Sequence, residues 1–202
     1  MALGAIDFGE DILVRAQELA SRAGNPAAGV WSVENDILRS AWTFVGASID
    51  TYFHERVRRA LIAKPMSKSA RKFTLPLGDV EDMVDGFLAN RAKSRPRVRL
   101  NNVIHEALLK ETFQGSRNVE RAFGLAGVAK PWAPLATSLG DSQDGVRGRL
   151  DRQYNRRNRI AHEGDYARQE RPQHFYYDVI SRQEVDAEIA WTRAFLAGAD
   201  AL

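Results

Sequence analysis

Between Ser32 and Pro65 the apolar residues keep to one repeat that only a long helix can present on a single side. Val33, Ile37, Ala41, Val45, Ile49, Phe53, Val57 and Leu61 recur four apart, with Leu38 and Trp42 beside them. That period is the apolar face of an α-helix. Ser32 stands where an N-cap belongs, and Pro65 ends the run because it lacks an N–H and clashes with the preceding turn. A helix of about thirty residues spans roughly 45 Å at 1.5 Å per residue. Such an element has to be the spine around which shorter helices gather, so the expected fold is all-α, an up-and-down type helical bundle.

The rest of the chain repeats the helical period, and β-alternation is hard to find. Asp7 with Glu10 reads as a capping box opening a first helix to about Arg22, closed by Gly24-Asn25-Pro26. Residues 64–77 read as a basic loop. Asp79 then starts a shorter helix expected to turn Val80, Met83, Val84, Phe87 and Leu88 inward. Arg95-Pro96-Arg97-Val98-Arg99 reads as a basic connection, with helices opening at Asn101 or Asn102 and at Ser116. Pro131 and Pro134 are expected to close that section. A helix from about Asp144 to His162 follows in the C-terminal part, with Gly164 as its C-cap. Ser181 with Glu184 opens a last helix burying Val185, Ile189 and Phe195.

The chemistry concentrates at residues 152–166, RQYNRRNRIAHEGDY, where Arg157 precedes His162 by five positions and Asn158 follows the arginine. A histidine that titrates near neutrality beside a permanent guanidinium is a minimal kit for cleaving RNA without a metal. The bare spacing is not distinctive. Arg99 before His105 and Arg168 before His174 differ from it by one residue. Those pairs lie next to Pro96 or across Pro172 and have no amide after the arginine, whereas the 157–162 pair sits at a helix end. Tyr154, Asn158 and His162 share a stripe on that helix, but Arg157 lies about 140° around the axis from His162. One straight helix therefore does not aim both groups at one phosphate. Either the arginine curls across the helix end or a second copy of the motif completes the site. Arg156 and Arg159 flank the motif as candidate RNA-backbone contacts. On the long helix, Asp50 and His54 stand one turn apart, either as a pair that stabilises that helix, the commoner arrangement, or as one that points toward the motif helix and supports it.

The wording Arg-Arg-Asn-Arg-Ile-Ala-His-Glu-Gly-Asp resembles the signature of the HEPN superfamily, with Arg157, Asn158 and His162 at the arginine, the polar residue after it and the histidine. The stretch from Asp36 to His54 is similar to the long early helix of the RiboL-PSP-HEPN subgroup. This resemblance implies one HEPN-like helical domain over residues 1–202, with its core at about 32–197. It also implies a homodimer with a composite active site, and metal-independent endoribonuclease activity in a toxin or antiviral defence effector. An antitoxin or defence-system partner would accompany it. Position 164 is Gly where related toxins carry the tyrosine of R-x4-6-H-x-Y, so the regulatory modification of that tyrosine is not implied. In the reaction expected, the ribose 2′-OH attacks its own 3′-phosphate, His162 carries the proton, Arg157 steadies the phosphorane and Asn158 orients His162 or the phosphate. The competing reading is a non-catalytic HEPN module that binds RNA or protein through the same helix.

Composition narrows the field further. The chain has 202 residues and a formal charge of only +3, so no single-signed nucleic-acid tail is present. Of its 29 basic residues just six are lysine, a bias toward the planar fork that suits phosphate and base contacts. The absence of cysteine excludes disulfides, thiol catalysis and Cys-ligated zinc. No cofactor or metal is expected from four dispersed histidines without an HExxH pattern. An acidic N-terminus and no long uncharged apolar run lead to the expectation of a cytoplasmic protein without membrane contact.

Overall fold

The computed structural model describes residues 3–24, 29–63, 66–89, 95–167 and 174–202. Among them are eight α-helices, α1 (Ala5–Arg22), α2 (Val33–Ile62), α3 (Leu77–Ala89), α4 (Pro96–Leu108), α5 (Gly115–Leu125), α6 (Trp132–Leu139), α7 (Gln143–Glu163) and α8 (Arg182–Asp200), with a 3-10 turn at Ala70–Lys72. The expected all-α bundle is what forms. No strand occurs among the described residues, and Tyr166 and Tyr177 make a single antiparallel bridge. The expected turn at Asn25-Pro26, the break at Pro65 and the stretch from Arg168 to Pro172 lie outside the described residues.

Helix α2 is the spine. Ser32 caps it by accepting a hydrogen bond from the Asn35 N–H at 3.1 Å, and α1, α4, α5, α7 and α8 all pack against it. Buried residues form one contiguous cluster around Leu38, Val45, Ile49, Phe53 and Val57 of α2 and Phe113, Phe123, Leu150 and Phe195 from its neighbours. Rings interlock there: Phe53 meets Tyr52 and Phe123 edge-on, each at 4.9 Å.

Several boundaries differ from the sequence expectation for local reasons. In α1 the cap is Gly4, whose N–H donates to Asp7 Oδ2 at 2.6 Å, so Asp7 closes the first turn from inside the helix. Helix α4 starts at Pro96 within the supposed basic connection, because proline at the first helical position has a preset φ and needs no N–H. Pro131 and Pro134 do not close a section but open α6, as its N-cap and in its first turn, where an N–H would have no partner within the helix. The larger correction concerns α3. None of its residues is buried, Leu88 is 74% exposed, and its main packing among the described helices is on α4. Its apolar stripe was expected to turn inward, but α2 is already covered by the other helices.

Candidate active site

Helix α7 is fixed along its length before it reaches the motif. Its N-cap Ser142 accepts from Gly145 N–H at 2.9 Å. Asp151 accepts from both the N–H and the hydroxyl of Ser116, at 2.7 and 2.9 Å, which pins the start of α5. Trp42 Nε1 donates to the Gln153 carbonyl, and Gln153 Nε2 donates to Thr192 Oγ1 at 3.0 Å, tying α7 to α2 and α8. Tyr154 lies against Gly115, whose φ of +74° and lack of a side chain let the α5 start pass beneath the ring.

Arg157 is half-buried and runs across α2 at Gly46, where an added Cβ would come within 3.3 Å of Arg157 Cγ and of Gln114 Oε1. Its Nη1 donates to Asn158 Oδ1 at 3.1 Å, so the amide after the arginine orients the guanidinium. Arg157 Nε and Gln114 Oε1 are both buried without a hydrogen-bond partner, and Gln114 is only 4% exposed. Beside this guanidinium, then, one donor lacks an acceptor and one acceptor lacks a donor, both closed to solvent. His162, on the last turn, is exposed, and its imidazole has no hydrogen bond among the described residues. Arg157 is thus half-buried against α2 and His162 is exposed, in keeping with the angle of about 140° between them around the helix, and no hydrogen bond joins the two among the described residues.

The flanking arginines are engaged within the chain. Gly164 caps α7 in the left-handed region (φ 65°) and delivers Asp165 into the interior. Asp165 Oδ2 accepts from Arg39 Nε at 3.0 Å and from Arg156 Nη2 at 2.8 Å, while its Oδ1 has no partner. Arg156 also donates to the carbonyl of Val179 at 3.1 Å, and Arg159 forms an ion pair with Asp178. Both were expected to face RNA backbone, and both instead fasten the helix end to the segment that follows it. A cleft of about 520 Å³ between α7 and α8 is lined by Arg149, Arg152 and Asn155 with Glu184 and Glu188 opposite, and includes neither Arg157 nor His162. Burial pushes the Glu188 carboxyl above the usual range, against the hydrogen bond from Arg149 that pulls it down.

Asp50 and His54 form the expected i,i+4 pair, with His54 Nδ1 3.5 Å from Asp50 Oδ1. They face the α4–α5 connection, not the motif helix. Asp50 Oδ1 accepts from Phe113 N–H at 2.6 Å, and the two His54 ring nitrogens lie 2.8 and 2.9 Å from the carbonyls of Asp50 and Leu108. Their link to the motif is indirect, since the segment they brace carries Gln114.

Sequence reasoning passed over Gln114, Gly46, Arg39 and Asp165. Arg39 left a signal, a charge at a core register of α2 between Asn35 and Trp42. The others depend on contacts far apart in the chain. Among the described residues no group of three or more metal-ligating side chains gathers, and no helix is long and apolar enough to cross a membrane. No family model, curated protein or solved structure matches this chain.

Proposed function

We propose that this chain is a metal-independent endoribonuclease of the HEPN kind, acting as a toxin or antiviral defence effector. The observation that carries the reading is an exposed imidazole, His162, on the last turn of the helix whose Arg157 is aligned by Asn158 beside unmet polar atoms. The ribose 2′-oxygen attacks the adjacent phosphorus while its proton passes to an imidazole. The bond from phosphorus to the 5′-oxygen breaks, a proton reaches that oxygen, and the products are a 2′,3′-cyclic phosphate and a 5′-hydroxyl. Arg157 stabilises the charge growing on the phosphorane oxygens. Because the two groups lie about 140° apart around α7, a homodimer pairing the motif of one copy with that of its partner makes the working site. Two copies then also supply one histidine to accept a proton and one to donate it.

One observation favours the competing reading, a non-catalytic module that binds RNA or protein. Arg157 packs its stem on Gly46 and could serve only to fasten α7 to α2. Single-turnover cleavage and binding measured on the same variants separate the two. His162→Ala is expected to lose at least ~10²-fold in rate with little change in RNA affinity. Arg157→Lys should not restore activity, since an ammonium keeps the charge and loses the fork. Cleavage should persist in EDTA and leave cyclic phosphate ends. Equal cleavage by His162→Ala and wild type would sink the catalytic reading.

A further inference from the structure

Just beyond the motif the chain assembles a run of planar groups that the reaction above does not use. Gly164 turns the backbone out of α7, and Tyr166 bridges Tyr177, with Ala167 N–H donating to the Tyr176 carbonyl at 2.9 Å and Asp178 N–H to the Asp165 carbonyl at 3.0 Å. This short pairing sets the rings in series. The Arg39 guanidinium lies over Tyr177 at 5.1 Å, Tyr177 stacks on Tyr166 at 5.1 Å with 29° between planes, and Tyr166 meets Phe175 at 5.5 Å and 41°. The inner end is anchored, because Arg39 is held by buried Asp165. The outer end is open: Phe175 is 78% exposed.

Phe175 and Tyr166, in ring contact and 78% and 45% exposed, make a contiguous apolar patch, the kind of surface that marks a binding face. Phe175 touches Tyr166 and leaves most of its ring exposed, which suits a flat group laid on it. The local charge narrows the chemistry further. Among the described residues Arg39, Arg156 and Arg159 are all paired with carboxylates, so what they leave at this corner is a set of π-faces, which suits a base. Tyr166 follows His162 by four residues, a reach of at most about 14 Å. We propose that Phe175, backed by Tyr166 and Tyr177, is a stacking platform for an unpaired nucleobase close to the cleaved phosphate, which makes single-stranded RNA the substrate class. This rests on the ribonuclease reading above. A duplex, whose bases are stacked on one another, would not present such a face.

The test uses the full-length protein and a short fluorescent 2′-O-methyl oligoadenylate, in which the attacking hydroxyl is blocked, beside an abasic oligomer of the same length. Anisotropy titration should show Phe175→Ala and Phe175→Leu weakening the oligoadenylate roughly 5- to 150-fold, the range of one base–aromatic stack. Phe175→Trp should retain affinity, and the abasic oligomer should bind all four proteins alike. Phe175 is exposed, so these variants do not put the core at risk. Unchanged affinity in Phe175→Ala, or an equal loss on the abasic oligomer, overturns the platform. So does a loss of dimer in light scattering without loss of oligoadenylate affinity, which would make the occupant a second copy of this chain. If wild type cleaves RNA while Phe175→Ala binds normally, only the platform fails. If wild type neither binds nor cleaves any RNA, the ribonuclease reading falls with it.

Discussion

Asp165→Asn is expected to cost the fold more than any other single neutralisation around the motif, and the reason can be worked from burial. Asp165 is fully buried, and the two arginines that meet its Oδ2 have side chains only 6% and 14% exposed. Removing one partner from a buried ion pair typically costs about 3–5 kcal/mol, because the remaining charge stays out of water. Here the lower end applies. Arg39 keeps Asp36 at 3.2 Å and the Asp178 carbonyl, and Asp165 Oδ1 was never satisfied. Asparagine has the same shape and tolerates the left-handed backbone at this position (φ 57°), so charge is the variable tested. A loss of about 3 kcal/mol lowers Tm by roughly 6–12 °C in a chain of this size. Asp178→Asn is the internal comparison: its ion pair with Arg159 is 28% and 34% exposed, and such pairs contribute under about 1 kcal/mol. Calorimetry or denaturant titration decides. If Asp165→Asn melts within about 3 °C of wild type, or Asp178→Asn costs as much, the buried carboxylate does not hold this corner.

Two further outcomes follow from the site. Gly46→Ala should leave Tm unchanged or slightly raised, since alanine favours a helix by about 0.5–1 kcal/mol over glycine. RNA cleavage should nevertheless fall roughly tenfold or more, because the new methyl, 3.3 Å from Arg157 Cγ, displaces the guanidinium by a few tenths of an ångström; full activity would remove Arg157 from the chemistry. Glu188→Gln should raise Tm at pH 7. Burial lifts the folded-state affinity of this carboxyl for its proton above that of the unfolded chain, so its stabilising contribution is present below the ordinary glutamate value and lost as pH rises through the lifted one. The gain should vanish well below pH of about 4.3, and a loss at pH 7 would show that the Arg149 pairing outweighs burial.

What the sequence reveals and what it hides divide along the range of the interactions. The extent of α2, the caps at Ser32 and Ser181, and the Gly164 stop on α7 are decided within a turn of helix, and each forms where the pattern puts it. The helical period of its apolar residues says that α3 is a helix, but not that the other helices would occupy α2 and leave it outside. The offset between Arg157 and His162 was legible as geometry. That Asn158 would align the arginine was not, because two rotamers decide it. Arg156 and Arg159 looked like a basic face because their partners Asp165 and Asp178 are separated from them by a turn in the chain. Gln114 becomes visible only once α2 and α7 are packed, beside a glycine whose importance lies in what it lacks.

The Arg39–Asp165 pair joins residues 126 apart in sequence. A contact of that span returns nothing until the intervening chain has already been drawn together, and loop-closure entropy makes it late to form. The helices can arise locally, but this corner, like the meeting of Phe53 with Phe195 in the core, waits until distant parts of the chain have been drawn together. The backbone that positions His162 and the ring series behind it is therefore among the last parts of the molecule to take shape, and a chain interrupted before Asp165 would carry the motif's arginine and histidine without the lock that sets them.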